Sequence, residues 1–113
     1  MKEIKAIIQP FMADHVIGAL REMRELPGVT VSQVMGFGRG RAVGSGGQAE
    51  ESGIFGEKKV KLEMVIPDEL VQEVIEVITR HAHTGNPGDG KIFVSRVDEV
   101  VKIRTGERTV EGS

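Results

Sequence analysis

The chain has no cysteine, no tryptophan and no tyrosine. Without a thiol it can form no disulfide, no thiolate zinc site and no cysteine nucleophile. Four phenylalanines give few platforms on which nucleic-acid bases could stack. There is also no excess of positive charge: the formal net charge is −2, so no global field attracts nucleic acid or an anionic membrane. No apolar run approaches the roughly 18 residues that a membrane span requires. The opening "MKEIKAIIQP" has no signal-peptide core, and these features together predict a cytoplasmic protein.

What is present is an ordinary globular composition, 39% hydrophobic and 28% charged over 113 residues, which suits one compact domain and is too short for two of typical size. The apolar spacing alternates between two and three to four. In "KEIKAIIQ", Ile4, Ala6 and Ile8 share one face of a strand, with Glu3, Lys5 and Ile7 on the other. Pro10 ends that strand. Val16, Leu20 and Met23, flanked by Ile17 and Ala19, give a helix over Ala13 to Met23. "LPGVTVSQV" turns at Pro27 and Gly28 into a second strand with Val29 and Val31 inward. In "KKVKLEMVIP", Val60, Leu62, Met64 and Ile66 alternate with Lys59, Lys61, Glu63 and Val65 until Pro67. "PDELVQEVIEVITRH" is a second helix, with Asp68 and Glu69 at its N-terminal dipole and a stripe of Leu70, Val71, Val74, Ile75 and Ile78. "KIFVSRV" is a fourth strand, and "VVKIRTGE" reads as a short extended arm. The order β, α, β, long loop, β, α, β predicts a ferredoxin-like α+β sandwich, βαββαβ, with both helices on one face of an antiparallel sheet. The other face, with Ile7, Val34 and Val65, then lacks a cover, and self-association in a cyclic oligomer supplies one.

Two loops carry the candidate chemistry. The segment from Gly36 to Glu57, "GFGRGRAVGSGGQAEESGIFGE", exceeds the roughly 15 residues beyond which a loop in a compact domain is usually functional or disordered. By composition it is a surface insertion. The alternative is partner capture, with Arg39 and Arg41 for anions and Ile54 and Phe55 as an apolar tip. A nucleic-acid reading of "GRGR" has only two arginines and no Tyr or Trp behind it. In "HTGNPGDGKIFV", Gly88 and Gly90 leave backbone N–H groups open to form an anion nest, and Lys91 adds a charge. A period of two in the arm puts Lys102 and Arg104 on one side, with Val101 and Ile103 on the other. Three cations and a nest suit two or three phosphates; a tight turn with scattered surface cations is the plainer alternative. An enzyme reading would use Asp89 and Glu63 to position water at a nucleotide, but the Walker pattern is missing and "GDGK" supplies no recognised base. His81 and His83, two residues apart, fall on different sides of a helix; capping the helix end suits them better than sharing a metal. His15 stands alone on the helix surface.

"TGNPGDGKIFV" with "KIRTGE", and with "IKAIIQPF", "VTVSQVMGFGRG" and "KVKLEMVIPDELV", resembles the PII signal-transduction family over nearly the whole chain, broken mainly in the long loop. The resemblance implies a single domain over residues 1–113, assembled as a homotrimer with sheets facing inward. It implies a partner-binding T-loop (36–57), a phosphate-holding B-loop (83–91) and a C-terminal arm and tail (98–113). ATP or ADP, with Mg2+ accompanying ATP, would bind in three intersubunit clefts. Thr30, Glu63 and Val65 would line the adenine and ribose end, and Gly36, Phe37, Gly38 and Arg39 the base of the T-loop. Gly88, Asp89, Gly90 and Lys91 would hold phosphates, with Lys59 at the end of the T-loop. Lys102, Ile103 and Arg104 would come from a neighbour's arm, Lys102 standing where the family usually has arginine. The expected role is a non-enzymatic regulator, with slow side ATPase activity left open, controlling a membrane transporter or an enzyme through the T-loop.

Two departures point to weakened or lost 2-oxoglutarate sensing. Gly40 replaces the family's metal-chelating glutamine, and Gln9 replaces a lysine that helps hold carboxylates. With no tyrosine in the chain, tyrosine modification of the loop is excluded, and only Ser45 and Ser52 offer hydroxyls there.

Overall fold

The computed structural model describes residues 1–36 and 56–110. Strand β1 (Lys2–Ile8) leads through a 3₁₀ turn (Pro10–Met12) into helix α1 (Ala13–Arg21), and strand β2 (Thr30–Gly36) follows. The second half repeats the plan: strand β3 (Glu57–Ile66), a 3₁₀ turn (Asp68–Leu70), helix α2 (Val71–Ala82) and strand β4 (Gly90–Arg96). Both β1 and β3 stop short of their proline, which cannot donate to a ladder. Pro10 then starts its 3₁₀ turn, where a missing N–H costs nothing, and Pro67 caps the other with extended backbone.

The four strands pair antiparallel in the order β2-β3-β1-β4. Ile4 lies opposite Met64 and Val94, and Ala6 opposite Leu62 and Ile92. Residues directly opposite share a face, so one face gathers the expected strand positions. Ile4, Ala6, Ile8, Val60, Leu62, Met64 and Ile66 are buried beneath Val16 and Leu20 of α1 and Val71, Val74, Ile78 and Ala82 of α2. This is the expected ferredoxin-like sandwich, and the core pattern of both central strands and both helices follows the sequence periodicity.

The structure departs from the sequence reading in three places. Val29 packs on the core as expected, and Val31 is on the helix side opposite Leu62, but β2 is an edge strand and Val31 stays 47% exposed. The open face is not an apolar slab. Ile7, Val34 and Val65 do lie on it, half-buried, but between Glu3, Lys5, Lys59, Lys61 and Glu63. Large exposed apolar groups occur on the edge strands, Val31 and Met35 on β2 and Phe93 and Val94 on β4, and outside this sheet at Phe11, Val101, Ile103 and Val110. The arm, finally, is not extended through residues 101–104. Val100–Val101 (β5) pairs with Arg108–Thr109 (β6), and the chain between them reverses. The Lys102 N–H donates to the Glu107 carbonyl at 2.9 Å, and the Gly106 N–H donates to the Lys102 carbonyl at 2.7 Å. Gly106, at φ +74, permits the reversal. The expected alternation of Lys102 and Arg104 against Val101 and Ile103 therefore does not apply.

Candidate functional site

The loop between α2 and β4 is built around one carboxylate. Asp89 accepts hydrogen bonds from the Thr84 N–H at 2.8 Å, the Gly85 N–H at 2.9 Å and the Thr84 hydroxyl. The Asn86 N–H donates back to the Thr84 hydroxyl oxygen at 3.1 Å. His83 places Nδ1 3.7 Å from the same carboxylate. The Thr84 hydroxyl, then the Thr84 and Gly85 amides and the imidazole, hold the Asp89 carboxyl below its ordinary value, against a smaller opposing effect of lost water. Asp89 is thus a clasp that shapes the loop. Both of its oxygens accept hydrogen bonds from within the loop.

Two glycines let the clasped loop meet the sheet. Gly90, at φ +117, begins β4 opposite Ile8, and a Cβ there would sit 1.8 Å from the Ile7 carbonyl oxygen. Gly88, at φ +94, turns its carbonyl towards the ends of β1 and β3. Gln9 Nε2 donates to that carbonyl at 2.7 Å and Lys59 Nζ at 3.2 Å. Lys59 also lies 3.4 Å from the Glu57 carboxylate, with both side chains only 13% exposed. The next residue of β4, Lys91, is opposite Ile7 and exposed, with no ion-pair partner among the described residues.

The alternation of β3 aims Lys59, Lys61, Glu63 and Val65 at the same open face. At its far end Thr30, opposite Glu63 across β2 and β3, lines a hollow of about 440 Å³ with Glu3, Pro27, Gly28, Glu63, Met64 and Val65. Lys61 lies 3.7 Å from Glu63. The structure therefore brings Thr30, Glu63 and Val65 together, and separately Lys59, Gly88, Asp89, Gly90 and Lys91. Gly36 and Glu57, placed in the long loop by sequence, are paired strand residues that close the described end of the β2–β3 hairpin. Phe37, Gly38, Arg39, Gly40, Arg41, Ser45, Ser52, Ile54 and Phe55 lie outside the described residues.

On the arm, Lys102 is 3.7 Å from Glu107, Arg104 is exposed without an ion-pair partner among the described residues, and Ile103 is fully exposed at the turn. His81 bonds through Nδ1 to the Val77 carbonyl at 2.8 Å, one turn back on α2, which is the helix-end role expected for it. His15 is exposed on α1.

Sequence reasoning missed Thr84 and the position of Gln9. Thr84 was detectable, because a threonine or aspartate in a Gly/Pro-rich segment commonly bonds nearby backbone. Gln9 lies 79 residues from Gly88, and no local signal joins them.

A sequence model described as "Nitrogen regulatory protein P-II" matches residues 1–107. A protein of that name from Azospirillum brasilense is 48% identical over 108 residues, covering 96% of each chain. Its namesake from Rhizobium meliloti is 49% identical over 107 residues, 95% of each. "Nitrogen regulatory protein P-II 1" from Escherichia coli K12 is 46% identical, again over 95% of each. The fold and these similarities define a signal-transduction protein of the regulatory ferredoxin-like class. The chain belongs to the nitrogen regulatory protein P-II family.

Proposed function

We propose that this protein is a non-enzymatic regulator that binds ATP or ADP between the subunits of a homotrimer and controls a partner protein, a membrane transporter or an enzyme, through the loop of residues 36–57. The observation that carries this reading is the 84–91 loop: a pre-shaped, glycine-rich turn whose carboxylate is turned inward and whose Lys91, without an ion-pair partner among the described residues, stands beside backbone N–H groups. Anions bind such nests through N–H dipoles and a nearby cation. Thr30, Glu63 and Val65 supply a half-apolar hollow with hydrogen-bonding groups, suited to a base and its sugar.

Separation of the two groups supports an intersubunit site. Along β3, Lys59 stands about 13 to 20 Å from Glu63 and Val65, at roughly 3.3 Å per residue. A loop and a hollow at opposite ends of one face meet when the faces of two copies adjoin. Arg104 and Lys102, on an arm that folds as a separate hairpin, reach a neighbour's phosphates in that arrangement. Exposed Phe93, on the open face opposite Lys5, and Ile103 on the arm supply apolar contact for it.

The nucleotide is the effector, and 2-oxoglutarate sensing is weakened or lost, because Gly40 has no side chain to chelate Mg2+ and Gln9 carries no charge. Calorimetric titration with ATP, ADP and AMP, each with and without Mg2+ and 2-oxoglutarate, tests the reading. Saturable binding of ATP or ADP with no 2-oxoglutarate response is expected. Absence of any nucleotide binding overturns the function, and micromolar 2-oxoglutarate binding to the MgATP-loaded protein overturns the effector assignment.

A further inference from the structure

Among the described residues, the Gly88–Asp89 peptide is held from one side only. Its carbonyl accepts from Gln9 Nε2 at 2.7 Å and from Lys59 Nζ at 3.2 Å. In a trans peptide the following N–H points opposite to the carbonyl, and no cis peptide occurs among the described residues. The two donors therefore fix the direction of the Asp89 N–H, away from the ends of β1 and β3. Among the described residues that N–H has no acceptor. Gly88, with no Cβ, offers little resistance to rotation of this peptide. A rotated peptide would turn a carbonyl oxygen, which repels anions, to the side where the N–H now stands.

We propose that Gln9 is a positioning residue for phosphate: it latches the Gly88 carbonyl and thereby keeps the Asp89 N–H presented as an anion donor. Lys59 alone is a weaker latch, because its bond is longer and its charge is shared with Glu57, 3.4 Å away. The amide suits a carbonyl that already faces a lysine. It adds a donor without setting a second positive charge beside the first, so both bonds persist together. Gln9 itself need not touch the nucleotide.

This inference rests on the proposed phosphate role of the loop, and its test separates the two. Gln9→Ala should weaken ADP and ATP binding about five- to tenfold, the value of one neutral hydrogen bond, while adenosine binding is unchanged. Gln9→Lys, which restores a donor but sets a second cation beside Lys59, should recover only part of the loss. Gln9→Glu, which sets a carboxylate against the carbonyl and draws Lys59 away from it, should bind phosphate worse than Gln9→Ala. Gln9→Ala binding as the parent does, or adenosine weakened as much as ADP, overturns the proposal. If the parent binds no nucleotide, the function fails, and the latch is read from the Gly88 carbonyl carbon and Asp89 amide NMR shifts of the free protein. Displacement of both by Gln9→Ala and their partial return in Gln9→Lys support the latch; unchanged shifts overturn it.

Discussion

Gly90 occupies a place where any side chain would collide with the backbone of the neighbouring strand. Its φ of +117 is disfavoured for L-residues, and the nearest atom to an added Cβ is the Ile7 oxygen, which cannot swing aside as a flexible side chain would. Gly90→Ala should therefore separate the β1–β4 ladder from the loop and cost at least about 2 kcal/mol. Urea unfolding checks it, and an unchanged midpoint would show that the ladder can slip without cost. Asp89 makes a second prediction at this scale. Its folded pKa is lowered, so its contribution is fully present above the ordinary aspartate value of about 3.9 and is lost as pH falls through the lower folded value. The loop should accordingly be insensitive to Asp89 titration from about pH 8 to about pH 5 and loosen only below about pH 4. Amide exchange of Thr84 and Gly85 followed against pH reads this directly, and loosening near neutrality would contradict the clasp.

At the scale of elements, α1 carries an exposed Gly18 at which an added methyl group would meet nothing within 4 Å. Gly18→Ala should stabilise the protein by about 0.5 to 1 kcal/mol through helix propensity. Thermal unfolding a few degrees higher is the expected result, and a lower transition would point to an unseen contact on that face. The elements themselves were largely legible in the sequence. Alternation in β1 and β3 and the stripes of α1 and α2 report burial on one face, and that is what Ile4 through Ile78 do. The arm was not legible, because "VVKIRTGE" alternates like a strand while the Lys102–Glu107 backbone bond closes it into a turn. So short a reversal leaves no periodic trace, and its only signal is Gly106. The candidate site was legible where a glycine or lysine advertised itself, as at Gly88 and Lys91. Bonds between distant segments, as from Gln9 to Gly88, depend on the sheet order, which side-chain spacing does not encode.

For the molecule as a whole, the expectation is that distant parts of different copies act on one ligand. Lys91→Ala and Arg104→Ala should each weaken nucleotide binding about tenfold or more, since charge-assisted phosphate contacts are worth about 1.5 to 3 kcal/mol. Both side chains are exposed, so neither change should unfold the chain. Parent-like affinity in both variants would remove the phosphate assignment. Because the loop and the arm are assigned to neighbouring subunits, mixing the two variants should regenerate some intact clefts in mixed trimers. The most direct single measurement is native mass spectrometry of the protein with ADP. The account predicts a trimer that takes up as many as three nucleotides, one per cleft. A monomer that carries nucleotide, or a trimer that carries none, would contradict it.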